Sequence, residues 1–433
     1  MEGISYPHFE TKGSGYVYVV ERGGRIIEAR ISRLEKVREG GLKGEVSIKV
    51  DKQPLVRTSP TLTSVSGVDS FWRKLNRRMH IDDYGIDWEA YVEELAGRVI
   101  DAHRSGTPVV RLRDVVVPES VEWEVNPYIL RGQNCVLYGE GGSGKSMLAL
   151  LMAVLVDTGF VSSDLGFSAQ HGKVLILDYE TDEEEFFRRT NWLHNGLGIK
   201  SASVDSNIIY RRCSHPLAAE ADRIKDIVEE EGVTCLIVDS LGLATGGGLD
   251  EAESVLAYFS ALRWIETSTL TLTHTNKEGR IFGSVYTLNS GRSVWEVKSE
   301  TPRSGVLDVV TFHRKSNIVG KERPRAYEMQ FTDDAVTIKS KGVMQSEIAW
   351  TELSVSELVY QIIETEGTTA KLSLPDLVAE YKEKKVEKVT AAVATALSRH
   401  LKIGRLVEDT QGLMISLPNQ TKEKEQEELW TEL

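Results

Sequence analysis

Cysteine is scarce in this chain, with three residues, Cys135, Cys213 and Cys235, among 433. An odd set without metal-ligand spacing, two of them inside apolar runs, argues against a disulfide framework. It reads as reduced structural thiols in a cytoplasmic protein. Long apolar runs are also lacking. The longest uncharged one, Met147–Val156, is far shorter than the ~20 residues that span a bilayer, so no membrane partner is expected. The N-terminal MEGISYPHFE lacks a basic stretch followed by an apolar core, the pattern of a secretory signal. Nor is there an excess of cations: the net charge is −13. That balance is uneven, since residues 1–80 hold 15 Lys and Arg against 9 Asp and Glu, leaving −19 for the rest. Global charge governs solubility, whereas a local patch decides whether a phosphate backbone is held, so acidity does not exclude DNA. With 41% hydrophobic and 27% charged residues, disorder, collagen and coiled coil are excluded. The length corresponds to two to four domains at ~100–200 residues each.

Residues 1–65 alternate apolar and polar positions, as in Tyr16–Val20 and Glu45–Val50, with Gly23-Gly24 and Gly40-Gly41 between runs. The pattern predicts a small antiparallel β module. In the segment 66–114 the spacing of Trp72, Leu75, Trp88, Tyr91, Val92, Leu95 and Val99 becomes helical. From 115 to 342, apolar strands alternate with helical stretches, which predicts a largely parallel α/β sheet. Its strands are expected at Cys135–Tyr138, Val174–Leu177, Ile208–Tyr210, Cys235–Val238, Leu270–Thr273, Ser293–Val297, Leu307–Phe312 and Tyr327–Phe331. Over 352–418, three amphipathic helices (Leu353–Thr365, Pro375–Lys384, Lys388–Leu401) precede a hairpin, Arg405–Val407 with Leu413–Leu417. That is a winged helix-turn-helix layout. Residues 419–433 form a charged, acidic tail.

The strongest chemical signal is Gly139-Glu140-Gly141-Gly142-Ser143-Gly144-Lys145-Ser146, followed by Met147. It fits G-x-x-x-x-G-K-[ST] between an apolar strand and an apolar helix, where backbone N–H groups curl around phosphate oxygens. Lys145 would reach the β- and γ-phosphates and the Ser146 hydroxyl would bind Mg²⁺, so ATP and Mg²⁺ are the expected ligands. The strand Thr234–Val238 ends in Asp239, placed to hold the Mg²⁺ water shell opposite that loop. Val174–Leu177 ends in Asp178-Tyr179-Glu180. Glu180 is the expected carboxylate for the attacking water, though both acids would also suit the start of the helix Asp182–Asn195. His274, ending another strand, is either a γ-phosphate sensor or a half-buried structural histidine. Beyond it, Lys277 and Arg280 lie in a loop that either contacts a DNA backbone or is simply solvated. Arg314 and Lys315, in Phe312-His313-Arg314-Lys315-Ser316-Asn317, are candidates for cations acting on a neighbouring subunit, or ordinary strand-surface charges.

As an ordered series these motifs resemble the RecA-like P-loop ATPases, and within them the AAA-domain set typified by the hexameric plasmid helicase RepA. The resemblance runs from Trp123 and Pro127 through LYGEGGSGKS, VLILDYE, the Cys235–Asp239 strand, THTNK, FGSVYTLNSGRSVW and FHRKSN, about half the chain. It implies Lys145 and Ser146 as phosphate and Mg²⁺ contacts, Glu180 as catalytic glutamate, Asp239 as the Walker B acid and His274 as sensor. Arg314 or Lys315 would be the trans-acting cation, which implies a homo-oligomer, a hexamer by analogy.

Three functions are compatible with the sequence. One is a DNA helicase or translocase in replication of a mobile element or phage. Another is a recombination or repair ATPase that coats DNA. The last is a nucleotide-switched regulator whose winged helix reads an operator. Single-stranded DNA suits the ATPase core and duplex the winged helix, which would alternatively dock a protein. The basic pairs Arg73-Lys74 and Arg77-Arg78 are a further phosphate candidate or a solvated helix face. The tail Glu427–Leu433 is a frayed terminus, or a docking point for a replication partner.

Overall fold

The computed structural model describes residues 7–12, 14–37, 40–78, 86–106, 109–161, 164–199, 206–248, 251–276, 279, 281–283 and 285–416. Lys277, Arg280 and the acidic tail lie outside the described residues. Glycine turns organise the N-terminal module. Strands β1 (His8–Lys12), β2 (Gly15–Arg22), β3 (Arg25–Val37), β4 (Gly41–Val50) and β5 (Gln53–Thr58) form an antiparallel meander in chain order. Gly23 and Gly24 both take positive φ at the β2–β3 turn, which matches the twist of the flanking strands. Period-two patterning puts Tyr18, Ile27, Ala29, Ile31, Val46 and Ile48 on one face. Helices α1 (Val65–Arg78) and α2 (Trp88–Ser105, capped by Asp87) cover that face with Phe71, Leu75, Trp88, Tyr91, Val92 and Leu95. The sheet and the helical segment, separated at residue 65 by the change of periodicity, therefore share one core and make one module.

A short antiparallel trio, β6 (Trp123–Asn126), β7 (Ile129–Leu130) and β9 (Ser168–Ala169), borders the central domain. Its nine-stranded sheet has the order β11-β10-β12-β13-β8-β14-β15-β16-β17. These are β8 (Asn134–Gly139), β10 (Lys173–Asp178), β11 (Ile208–Arg212), β12 (Val233–Asp239), β13 (Ser268–His274), β14 (Ser293–Arg303), β15 (Val306–Ser316), β16 (Arg325–Phe331) and β17 (Val336–Lys341). The six strands from β11 to β14 run parallel and the last three join antiparallel. Helices α3 (Lys145–Thr158) and α4 (Glu183–Leu197) cover one face; α5 (Leu217–Glu231) and α7 (Ala252–Ile265) cover the other, with the short α6 (Leu241–Ala244) after β12. Being buried on both faces explains why these strands read as unbroken apolar runs. From β8 the chain passes to one side of the sheet and later returns to the other. Such a reversal opens a crevice at the carboxyl ends of the strands, where ligands bind in open α/β sheets.

After α8 (Val285–Ser290) and the antiparallel strands come α9 (Glu347–Glu352), α10 (Val355–Glu366), α11 (Leu374–Tyr381) and α12 (Val386–Lys402). A capping box of Ser354 and Glu357 starts α10. Strands β19 (Leu406–Glu408) and β20 (Leu413–Ser416) form the expected hairpin, and β18 (Thr368–Ala370) adds a third strand in the order β18-β20-β19. Leu358, Ile362, Ile363, Leu374, Val378, Val389, Val393, Leu397 and Met414 close a core of their own. Among the described residues no helix is long and apolar enough to cross a membrane.

Candidate nucleotide site

Strand β8 ends at Gly139, and the loop Glu140–Gly144 leads into α3 at Lys145. Gly142 and Gly144 sit at φ +76° and +83°, where a side chain is strained. Close approach demands glycine as well, because a Cβ on Gly139 would lie 2.2 Å from the Val297 carbonyl oxygen. The loop thus presents its N–H groups at a helix N-terminus, an anion cradle. Lys145 is 6% exposed. Its Nζ donates to the carbonyls of Gly139 (2.9 Å) and Glu140 (2.6 Å). Burial lowers its pKa, against the opposing pull of Asp239, Glu180 and Glu140. Neutral carbonyls are weaker partners for an ammonium than phosphate oxygens, so the loop is preorganised for an anion.

Three carboxylates that were hard to tell apart in sequence have distinct positions. Asp178 accepts from the backbone N–H groups of Glu180 (2.9 Å) and Thr181 (3.0 Å), from the Thr181 hydroxyl and from Tyr210 Oη (3.1 Å). It holds the turn after β10. Asp182 caps α4 by accepting from the Glu185 N–H at 2.9 Å. Glu180 is left facing the crevice. It accepts a hydrogen bond from the Ser240 hydroxyl, and His274 Nε2 lies 3.5 Å from its Oε1. Capping of α4 therefore falls to Asp182, and Glu180 stands beside the phosphate loop.

Asp239, at the end of β12, accepts from the Ser146 hydroxyl. Burial pushes its pKa up to about 6; the Ser146 hydrogen bond opposes this and Glu180 and Asp178 add to it. A hydroxyl and a carboxylate side by side are hard oxygen donors suited to Mg²⁺, which keeps several waters and needs only one or two protein ligands. Among the described residues no group of three or more His, Cys, Asp or Glu forms a larger cage. Ser146 and Asp239 therefore fit Mg²⁺.

These groups line one cavity of about 400 Å³. Its walls include Gly142–Met147, Glu180, Asp239, Ser240 and His274. It also holds Glu185, Arg189 and Trp192, which sequence reasoning missed. They stand at i, i+4 and i+7 on α4, so one helical face was the available signal. Arg189 Nε donates to Glu185 Oε1 at 2.8 Å, which aims a guanidinium into the cavity. Leu307 and Phe331, from the antiparallel strands, add an apolar wall.

Arg314 and Lys315 lie on β15 away from this cavity. Arg314 binds Glu296, packs over the Phe312 ring and reaches Glu352 at 3.3 Å. Lys315 Nζ donates to the carbonyls of Leu288 (2.8 Å), Asn289 (2.9 Å) and Gly291 (2.8 Å). Both cations are engaged within their own chain. Arg292, on the same side, is exposed and lines a polar cavity of about 450 Å³ with Arg263, Gln133 and Asn134.

Residues 103–280 match the AAA domain family. Among curated proteins no sequence matches the chain. Among solved structures it is similar to a KaiC-like protein of the hyperthermophilic archaeon Pyrococcus horikoshii, with 13% identity and a TM-score of 0.37, over 51% of this chain and 99% of that one. Strand order and phosphate loop together give the central domain a RecA-like P-loop fold, and the family match falls on that part of the chain.

Proposed function

We propose that this chain is an ATP-driven motor that works on DNA as a homo-oligomer, a helicase or translocase of the kind that serves phage or mobile-element replication. The arrangement of Glu180 carries the hydrolytic half of this reading: a carboxylate beside the phosphate loop, steered by Ser240 and His274. On binding ATP, Lys145 exchanges the carbonyls of Gly139 and Glu140 for phosphate oxygens. Ser146 and Asp239 would hold Mg²⁺, which would supply charge neutralisation to the phosphates. Glu180 orients the attacking water and accepts its proton. His274 is tied to the following loop, since its carbonyl accepts from the Phe282 N–H at 2.9 Å and Thr275 bridges to Ile281. A change at the γ-phosphate thereby reaches a loop that includes the basic positions 277 and 280.

The DNA half draws on α12. Its exposed face carries Lys388, Ala391, Ala392, Thr395, Arg399 and Lys402. Small residues between cations suit a helix entering a major groove, as in a winged helix. The same face favours the second reading, a nucleotide-switched regulator. For the trans-acting cation, Arg292 replaces Arg314 and Lys315 as the better candidate, because it is exposed and the other two are engaged.

Steady-state ATPase with and without single-stranded DNA tests the motor. Lys145→Ala and Glu180→Gln should both abolish DNA-stimulated hydrolysis, and Glu180→Gln should retain nucleotide. Hydrolysis indifferent to single strands, with a sequence-specific duplex footprint, would favour the regulator. Arg292→Ala should be inactive alone and regain hydrolysis when mixed with Lys145→Ala, since hybrid interfaces pair an intact loop with an intact arginine.

A further inference from the structure

The chain joining the N-terminal module to the central domain exposes seven large apolar residues within thirteen positions. Val109, Leu112 and Val116 are 97%, 90% and 96% exposed, and Val110, Val115, Val117 and Val121 accompany them. The segment holds no strand or α-helix, only a short 3₁₀ turn at Leu112–Asp114 between Arg111 and Val115, which are in extended backbone. Leaving one such side chain in water forgoes roughly 1.5–3 kcal/mol, and a contiguous exposed apolar stretch marks an interaction site. The stretch is also patterned. In sequence it interleaves the apolar Val110 and Leu112 with the cations Arg111 and Arg113.

A matching surface lies elsewhere on the same chain. A groove of about 480 Å³ runs between the start of α4 and the edge strand β11, walled by Phe186, Phe187, Thr190, Ile208 and Tyr210. Phe187 is 49% exposed, and Phe186 packs on Tyr210 with ring centroids 4.9 Å apart. Glu183 and Glu184 form the rim, and neither is in an ion pair among the described residues. Strand β11 has β10 as its one sheet neighbour among the described strands. Linker and groove belong to one chain and do not meet within it: the linker stands in solvent, and no linker residue lines the groove.

We propose that residues Val109–Val117 of one chain dock in the α4–β11 groove of a second copy, with the valines and Leu112 against Phe186, Phe187 and Ile208, and Arg111 and Arg113 on Glu183 and Glu184. Arg113, which lies 3.6 Å from Asp114 in the single chain, exchanges that exposed contact for the groove acids. The contact also bears on catalysis, because α4 carries Glu185, Arg189 and Trp192 into the nucleotide cavity. It rests on the oligomeric reading above and identifies the surface that builds the oligomer.

Sedimentation velocity of the full chain with Mg²⁺ and a non-hydrolysable ATP analogue tests it. Wild type should assemble. Leu112→Asp with Val116→Asp should weaken self-association by about 100-fold or more. Arg111→Glu with Arg113→Glu should weaken it about tenfold or more, and adding Glu183→Arg with Glu184→Arg should restore it. The linker residues are exposed and outside every α-helix and strand, so thermal melts of the linker variants should match wild type. Cross-linking settles the geometry, because the three native cysteines are buried. Chains carrying Val116→Cys alone and Phe187→Cys alone should form a covalent dimer only when mixed. Linker variants that assemble like wild type, or a cross-link formed only inside a doubly substituted monomer, would overturn the docking alone. A wild type that stays monomeric would overturn the oligomeric reading with it.

Discussion

At the scale of single residues, the hydroxyl of Ser240 decides how well Glu180 works. A half-exposed carboxylate with free rotamers wastes most of its encounters with water; one held by a hydroxyl donor does not. Ser240→Ala should therefore lower kcat several-fold to about tenfold and leave the KM for ATP nearly unchanged. Glu180→Gln, which removes the base itself, should lower kcat by about 10²–10⁴-fold. Single-turnover kinetics separate the two, and equal losses in both variants would mean that Ser240 does more than position. Ser240 itself followed from no motif. Its contact crosses from β12 to β10, 60 positions apart in sequence.

His313 offers a second residue-scale test. It is 5% exposed and stacked on Trp295 at 4.3 Å, with Nε2 3.0 Å from the Ser293 hydroxyl. Its Nδ1 accepts the Glu322 N–H at 2.9 Å, so the ring is neutral and a proton on Nδ1 would break that bond. Burial pushes its pKa down from the ordinary 6.5 to about 4, with Lys321 adding to the shift and a backbone bond at Lys315 opposing it. The unfolded chain therefore takes up the proton first. The contribution to stability is intact above pH 6.5 and is lost progressively as pH falls toward 4. Between pH 7.5 and 5 the loss should be about 2 kcal/mol. Chemical unfolding of the central domain at the two pH values should show that loss in wild type and a correspondingly smaller one in His313→Gln. Equal pH dependence in both would refute the assignment.

At the scale of elements, Lys315 ends helix α8. Three carbonyls that would otherwise be orphaned at the helix C-terminus converge on its ammonium. Lys315→Met should destabilise the central domain by about 2 kcal/mol, lowering its Tm by roughly 4–8 °C, with nucleotide affinity kept. If the melting temperature stays put and hydrolysis disappears, the lysine acts on a neighbour instead.

The same residue shows where the sequence stops being legible. The parallel strands were readable because burial on both faces removes every polar interruption. The phosphate loop was readable because its glycines, lysine and serine are contiguous. The charges on β15 carry no such label: what Arg314 and Lys315 hydrogen-bond to lies 18 to 38 positions away. Arg189 and Trp192 were hidden for a related reason, since a helix face points into the cavity only once the sheet has placed that helix. In the N-terminal module the switch from period two to helical spacing looked like a boundary. It marks instead the two layers of one core.

At the scale of the whole molecule, three modules are joined by polar contacts and, at the C-terminal junction, by one small apolar cluster. The N-terminal module meets the central domain through Arg30, which lies 3.2 Å from Glu230 and 3.9 Å from Asp226, both on α5. The C-terminal helices meet it through Glu352, bound by Lys298 at 2.7 Å and Arg314 at 3.3 Å, through Arg323, which reaches Glu364 at 2.6 Å and stacks on Tyr360, and through Ala349, buried against Val310, Phe312 and Ala326, so the N-terminal junction is the weaker of the two. Exposed or half-exposed ion pairs couple domains weakly, whereas each module buries its own apolar cluster. Unfolding should therefore proceed in more than one step rather than all-or-none. Calorimetry should resolve at least two transitions, drawing further apart as salt screens the ion pairs. Mg²⁺ and a non-hydrolysable ATP analogue at about 100 times Kd would stabilise only the domain that binds them, by about 2.7 kcal/mol. That should raise one transition by roughly 5–10 °C and leave the others in place. A single transition that shifts as a whole would mean the modules fold as one unit, and would require the ion pairs at Arg30 and Glu352 to couple far more strongly than their exposure implies.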